Sequence, residues 1–75
     1  MPSRSGRPYL HEEIVRILRS QRNRPMTAEE IADAVNAAGR FQKADGTPVL
    51  PNQIHARVSN HRELFERTPA GIRLW

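Results

Sequence analysis

Leu10, Ile14, Ile17, Leu18 and Gln21 follow the i, i+4, i+7, i+8, i+11 spacing that lines one face of an α-helix, with Val15 at the edge. This predicts a first helix over residues 8–21. Its opposite face carries Glu12, Glu13, Arg16 and Arg19 and is expected to be solvated, with Glu12 and Arg16 at the favourable acid-then-base spacing. Thr27 and Glu30 form a Thr-x-x-Glu capping box, in which hydroxyl and carboxylate satisfy each other's orphan backbone donors. Met26 and Ile31 flank it as a hydrophobic staple. Ile31, Ala34, Val35 and Ala38 then give an apolar stripe, and Gly39 supplies a left-handed stop, so a second helix is expected over 28–38. Residues 40–50 read as a loop with an Asp45-Gly46 turn and a strand stub at Thr47-Pro48-Val49. Pro51 suits the first position of a third helix over 51–61. Stepping 100° per residue sets Ile54, Val58 and His61 inward, and Asn52, Gln53, Ala56, Ser59 and Asn60 outward.

The tail changes period. Residues 64–67, the turn Thr68-Pro69-Ala70-Gly71 and residues 72–75 read as a two-stranded hairpin. If Arg67 faces Ile72, Phe65 pairs with Leu74 on the buried face, and Glu66 meets Arg73 as a cross-strand ion pair. The order helix, helix, short strand, helix, hairpin is that of a winged helix-turn-helix: mainly α with a small β-hairpin wing, an α+β domain with a two- to three-stranded sheet. One such domain is expected over 8–75, preceded by a flexible basic arm at 1–7.

With 75 residues, 37% of them apolar and only four aromatic, the chain cannot enclose a deep substrate cavity. It has no cysteine, which excludes disulfides, thiolate metal sites and a cysteine nucleophile. No apolar run approaches the roughly 18 residues of a membrane span, and no signal-peptide core follows the basic start. A cytoplasmic, nucleoid-associated protein is expected. The net charge is +4, and eleven of the twelve cations are arginine. The whole excess falls in the first third: residues 1–24 hold six arginines against Glu12 and Glu13, whereas 25–75 balance six against six. That favours an anionic partner, and arginine's planar fork suits phosphate and guanine edges, although a GC-rich coding sequence also raises arginine.

The third helix is the expected reader of DNA bases. Asn52, Gln53 and Asn60 carry amides that match adenine, Ala56 permits close approach, and Ser59 bonds base or phosphate. Arg4 and Arg7 of the arm, Arg40 and Lys43 of the loop, His55 and Arg57 on the helix, and Arg67 and Arg73 on the wing are candidate phosphate contacts. Trp75 is expected as a packing lid over the first helix or, alternatively, as an aromatic contact for a partner or base. His55 and His61 are spaced wrongly for a shared metal, and His11-Glu12-Glu13 lacks a second histidine. No metal, cofactor or catalytic group is expected, so the chain reads as a non-enzyme.

The segments YLHEEIVRILRS, PMTAEEIADAVNAAGRF, LPNQIHARVSNHRELFER and GIRLW resemble the HARE-type winged-helix family and its bacterial relatives appended to restriction and other DNA-processing enzymes. The resemblance covers residues 9–75 in pattern. It implies a non-catalytic module for double-stranded DNA, in some relatives suspected of sensing base modification, that serves a nuclease or other effector. The chain departs from those relatives by carrying a basic arm where the effector would be expected. N6-methyladenine is the first choice of modified base, because Ala56 beside Asn52, Gln53 and Asn60 combines a small apolar surface with adenine-pairing amides. The alternative function is a protein-interaction adaptor, since fold alone does not decide function.

Overall fold

The structure, a computed structural model, describes residues 9–43 and 45–75. Three helices, α1 (Leu10–Ser20), α2 (Ala28–Ala38) and α3 (Pro51–Asn60), precede an antiparallel hairpin of β1 (Phe65–Thr68) and β2 (Gly71–Leu74). The arm at 1–7, with Arg4 and Arg7, lies outside the described residues, as does Pro8.

Each helix begins with the same device. A side chain three residues in reaches back to the N–H at the cap: Glu12 accepts from Tyr9 at 2.8 Å, Glu30 from Thr27 at 2.9 Å, and Gln53 from Leu50 at 2.9 Å. Only at Thr27 is the bond returned by a cap hydroxyl, which accepts from the Glu30 N–H at 3.1 Å. Gly39 ends α2 in the left-handed region, at φ 69°.

The core gathers Ile14, Leu18, Ile31, Val35, Ile54 and Val58 from the helices and Phe65 and Ile72 from the hairpin. The hairpin register is the expected one, with Phe65 opposite Leu74, Glu66 opposite Arg73 and Arg67 opposite Ile72. Glu66 and Arg73 approach to 3.5 Å. Thr68 fastens the turn with its hydroxyl, accepting from the N–H groups of Ala70 and Gly71 at 3.1 Å each and donating to the Gly71 carbonyl at 2.8 Å.

The sheet's third member differs from the expected one. Residues 47–49 form no strand; the Asn36 side chain bonds the Val49 N–H at 2.9 Å and the Val49 carbonyl at 3.0 Å, and Pro48 has no N–H to offer. The place beside β2 is taken by Met26, which exchanges both backbone bonds with Ile72, at 3.0 and 2.7 Å. That approach dictates Gly71: its φ is +141°, and a Cβ there would stand 2.6–2.8 Å from the Met26 backbone.

Glu13 is the second departure. The solvated face expected for α1 fails at this residue, which is 1% exposed. It lies one helical turn before Ile17, at the edge of the apolar stripe. Arg16 holds Oε1 at 2.8 and 3.1 Å, and Arg40, just beyond α2, holds Oε2 at 3.2 Å. Among the described residues Arg16 thus pairs with Glu13 rather than with Glu12, whose carboxylate accepts from the Tyr9 N–H. Desolvation, the largest influence on Glu13, pushes its pKa up, but the hydrogen bonds and charges of both arginines together hold it below the ordinary carboxylate value.

Candidate nucleic-acid interface

With Ile54 and Val58 anchored in the core, helical period turns the rest of α3 outward. Asn52, His55, Ala56, Arg57, Ser59 and Asn60 are all exposed. Gln53 is half-buried, and its Oε1 is engaged by the Leu50 N–H, so this candidate base reader is also the cap of its own helix.

A groove runs along each flank of α3. On one side, loop residues Phe41, Gln42 and Lys43 face Leu10, Gln53, Ala56 and Arg57 across an open space of about 390 Å³. On the other, Val58, Ser59 and Arg62 face Phe65, Glu66, Arg67 and Trp75 across about 640 Å³. Arg67 lies on the same face of the hairpin as Phe65, so it points at α3. Its Nη2 donates to the His55 carbonyl at 3.1 Å and to Ser59 Oγ at 2.7 Å. Ser59 thus has one acceptor position filled while its own O–H stays available.

The candidate phosphate contacts divide into two groups. Arg40 and Arg73 have carboxylate partners in Glu13 and Glu66. Lys43, Arg57 and Arg67 form no ion pair within 4.0 Å among the described residues, nor does Arg62, which sequence reasoning missed. Its signal was present, three residues beyond Ser59, but the expected helix end at 61 hid it.

Trp75 is no lid over α1. It is 73% exposed and lies beyond the end of α3, its Nε1–H donating to the Arg62 carbonyl at 2.9 Å. A second contact that the sequence did not announce brings His11 of α1 onto His61 at the end of α3, the rings stacked with centroids 3.9 Å apart and Tyr9 stacked beyond His11 at 5.8 Å. His11 is therefore half-buried against the end of α3. Burial, then repulsion from His61 and Arg57, lowers its pKa against the opposing pull of Glu12 and Glu63. Among the described residues no three His, Cys, Asp or Glu side chains gather as a metal site, and no helix is long and apolar enough to cross a membrane.

Compared with family models, curated proteins and solved structures, the chain matches none.

Proposed function

We propose that this chain is a winged helix-turn-helix module that binds double-stranded DNA through α3 and has no chemistry of its own. One observation carries the reading: an uncharged ridge of Asn52, Ala56, Ser59 and Asn60 is bordered by Lys43 and Arg57 on one flank and by Arg62 and Arg67 on the other, none of these cations being paired to a carboxylate among the described residues. A helix that enters the major groove needs amides and small groups at its centre for base edges and cations at its borders for the two phosphate strands. Arg4 and Arg7 of the arm add phosphate contacts, and His55 serves from the middle of α3. Arg40 and Arg73, already held by carboxylates, contribute less.

The test is the salt dependence of duplex binding. With three to six phosphates neutralised, log K falls against log salt with a slope of about −3 to −5, at roughly 0.9 per phosphate. A flat dependence removes the reading. Ala56 between amides further supports a preference for N6-methyladenine, which a competition between matched methylated and bare duplexes decides. Recruitment of a nuclease or other effector completes the proposal. The adaptor alternative is supported less well, because Trp75 lines a groove that neither Tyr9 nor Leu50, the other large exposed apolar residues, lines.

A further inference from the structure

The 640 Å³ groove between α3 and the hairpin holds more than duplex reading uses. Trp75 is exposed, yet its indole is fixed: the ring N–H is spent on the Arg62 carbonyl at 2.9 Å, and the backbone N–H on the Leu64 carbonyl at 3.3 Å. With its polar edge satisfied, the ring offers a ligand only its π-face. Val58 and Phe65, both buried, form the apolar floor. Arg62 and Arg67 supply charge at the rim. Glu66 is the single acidic side chain among the lining residues, and Arg73 pairs with it at 3.5 Å. Arg67 bonds only neutral oxygens, so its charge is uncompensated.

These features select a ligand class. Two arginines repel a cation, and an aliphatic anion would leave the indole face unused. A planar ring carrying a phosphate uses all of them. Inside a duplex, each base has both faces covered by its neighbours, so away from the ends only an unpaired base can present one. We propose that this groove binds a nucleotide whose base is unpaired, the base stacked on Trp75 and the phosphate held by Arg62 and Arg67. The inference rests on the reading of α3 as a nucleic-acid interface, because Ser59 both stands on the exposed ridge and lines the groove, so a strand lying along α3 delivers a nucleotide to it. The nucleotide comes from a single strand beside the duplex or from a base swung out of it.

The test compares four labelled DNAs by fluorescence anisotropy: a blunt duplex, the same duplex with a short single-stranded extension, the same with an abasic extension, and a blunt duplex with one internal base opposite an abasic site. Trp75 is the only tryptophan, so its emission reports stacking directly. The extended duplex is expected to bind on the order of tenfold tighter than the blunt one and to quench Trp75, and the abasic extension to lose that advantage. Trp75→Ala brings the extended-to-blunt ratio to one, and Trp75→Phe keeps most of it. Tightening by the internal unpaired base alone supports the groove with a swung-out base as the source. If blunt, extended and internally unpaired duplexes bind equally, or an abasic extension helps as much as a base-bearing one, the groove proposal falls while the duplex reading stands. Binding of none of the four overturns both.

Discussion

The side-chain amide of Asn23 pairs with both backbone polar groups of Leu74, accepting from its N–H at 2.7 Å and donating to its carbonyl at 3.0 Å. Fifty-one positions separate the two residues. Three residues later Met26 makes the equivalent pair of bonds to Ile72 with its own backbone. Residues 23 and 26 therefore act together as the third member of the sheet, one with a side chain and one with the main chain. Asn36 repeats the device on Val49, where it holds the loop that leads into α3. Both amides satisfy backbone groups that would otherwise be half-buried and unpaired.

Asn23→Ala is expected to lower stability by about 2–3 kcal/mol in urea unfolding, from two lost bonds and two stranded backbone groups. Asn23 also holds a positive φ, 59°, which alanine tolerates poorly. Asn23→Gly removes the same bonds without that strain and should recover about 1 kcal/mol relative to alanine. Equal losses would place the whole effect in the amide.

Gly71→Ala should cost about 2–5 kcal/mol, because the added carbon meets the Met26 backbone and the φ of +141° disfavours any side chain. Hydrogen exchange would show the loss at Met26 and Ile72 first. Protection there equal to the parent's would mean the strand contact yields without cost.

Acid should destabilise the fold in two stages. The folded-state pKa of His11 lies below its ordinary 6.5, so the unfolded chain takes up that proton first and stability declines as pH falls from about that value. Glu13 is likewise depressed below its ordinary 4.5; its stabilisation is complete above that value and is lost as pH falls through the lower folded value. Melting temperatures across this range should bend twice. His11→Gln removes the upper bend and Glu13→Gln the lower one, the second at a general loss of stability because Arg16 and Arg40 lose their shared acceptor.

Substitutions on α3 should separate reading from folding. Asn52→Ala and Asn60→Ala, at exposed positions, should change stability by no more than about 0.5 kcal/mol while relaxing preference at one base pair by about 1–3 kcal/mol. Gln53→Ala should cost about 1 kcal/mol of stability through the lost cap, and Gln53→Glu, which keeps the acceptor, should restore most of it. Ile54→Ala empties a fully buried position and should cost about 2–5 kcal/mol. Parent-like specificity in both asparagine variants, measured by selection on randomised duplexes, would remove α3 as the reader.

Three helices, the Thr27–Glu30 cap, the Gly39 stop and the hairpin register were legible in the sequence because each depends on residues within a turn or two of one another, where spacing alone decides which groups meet. The exposed ridge of α3 was legible for the same reason, since Ile54 and Val58 set its rotation. The burial of Glu13 under Arg40, the seating of Arg67 on Ser59, the stacking of His11 on His61 and the choice of Met26 over residues 47–49 as sheet partner were decided only by tertiary structure. Arg40 lies 27 positions from Glu13, and Asn23 lies 51 from Leu74. No local period encodes such a pairing. A polar side chain looks solvated from its helix alone, and only the arrival of a distant donor or acceptor makes its burial affordable.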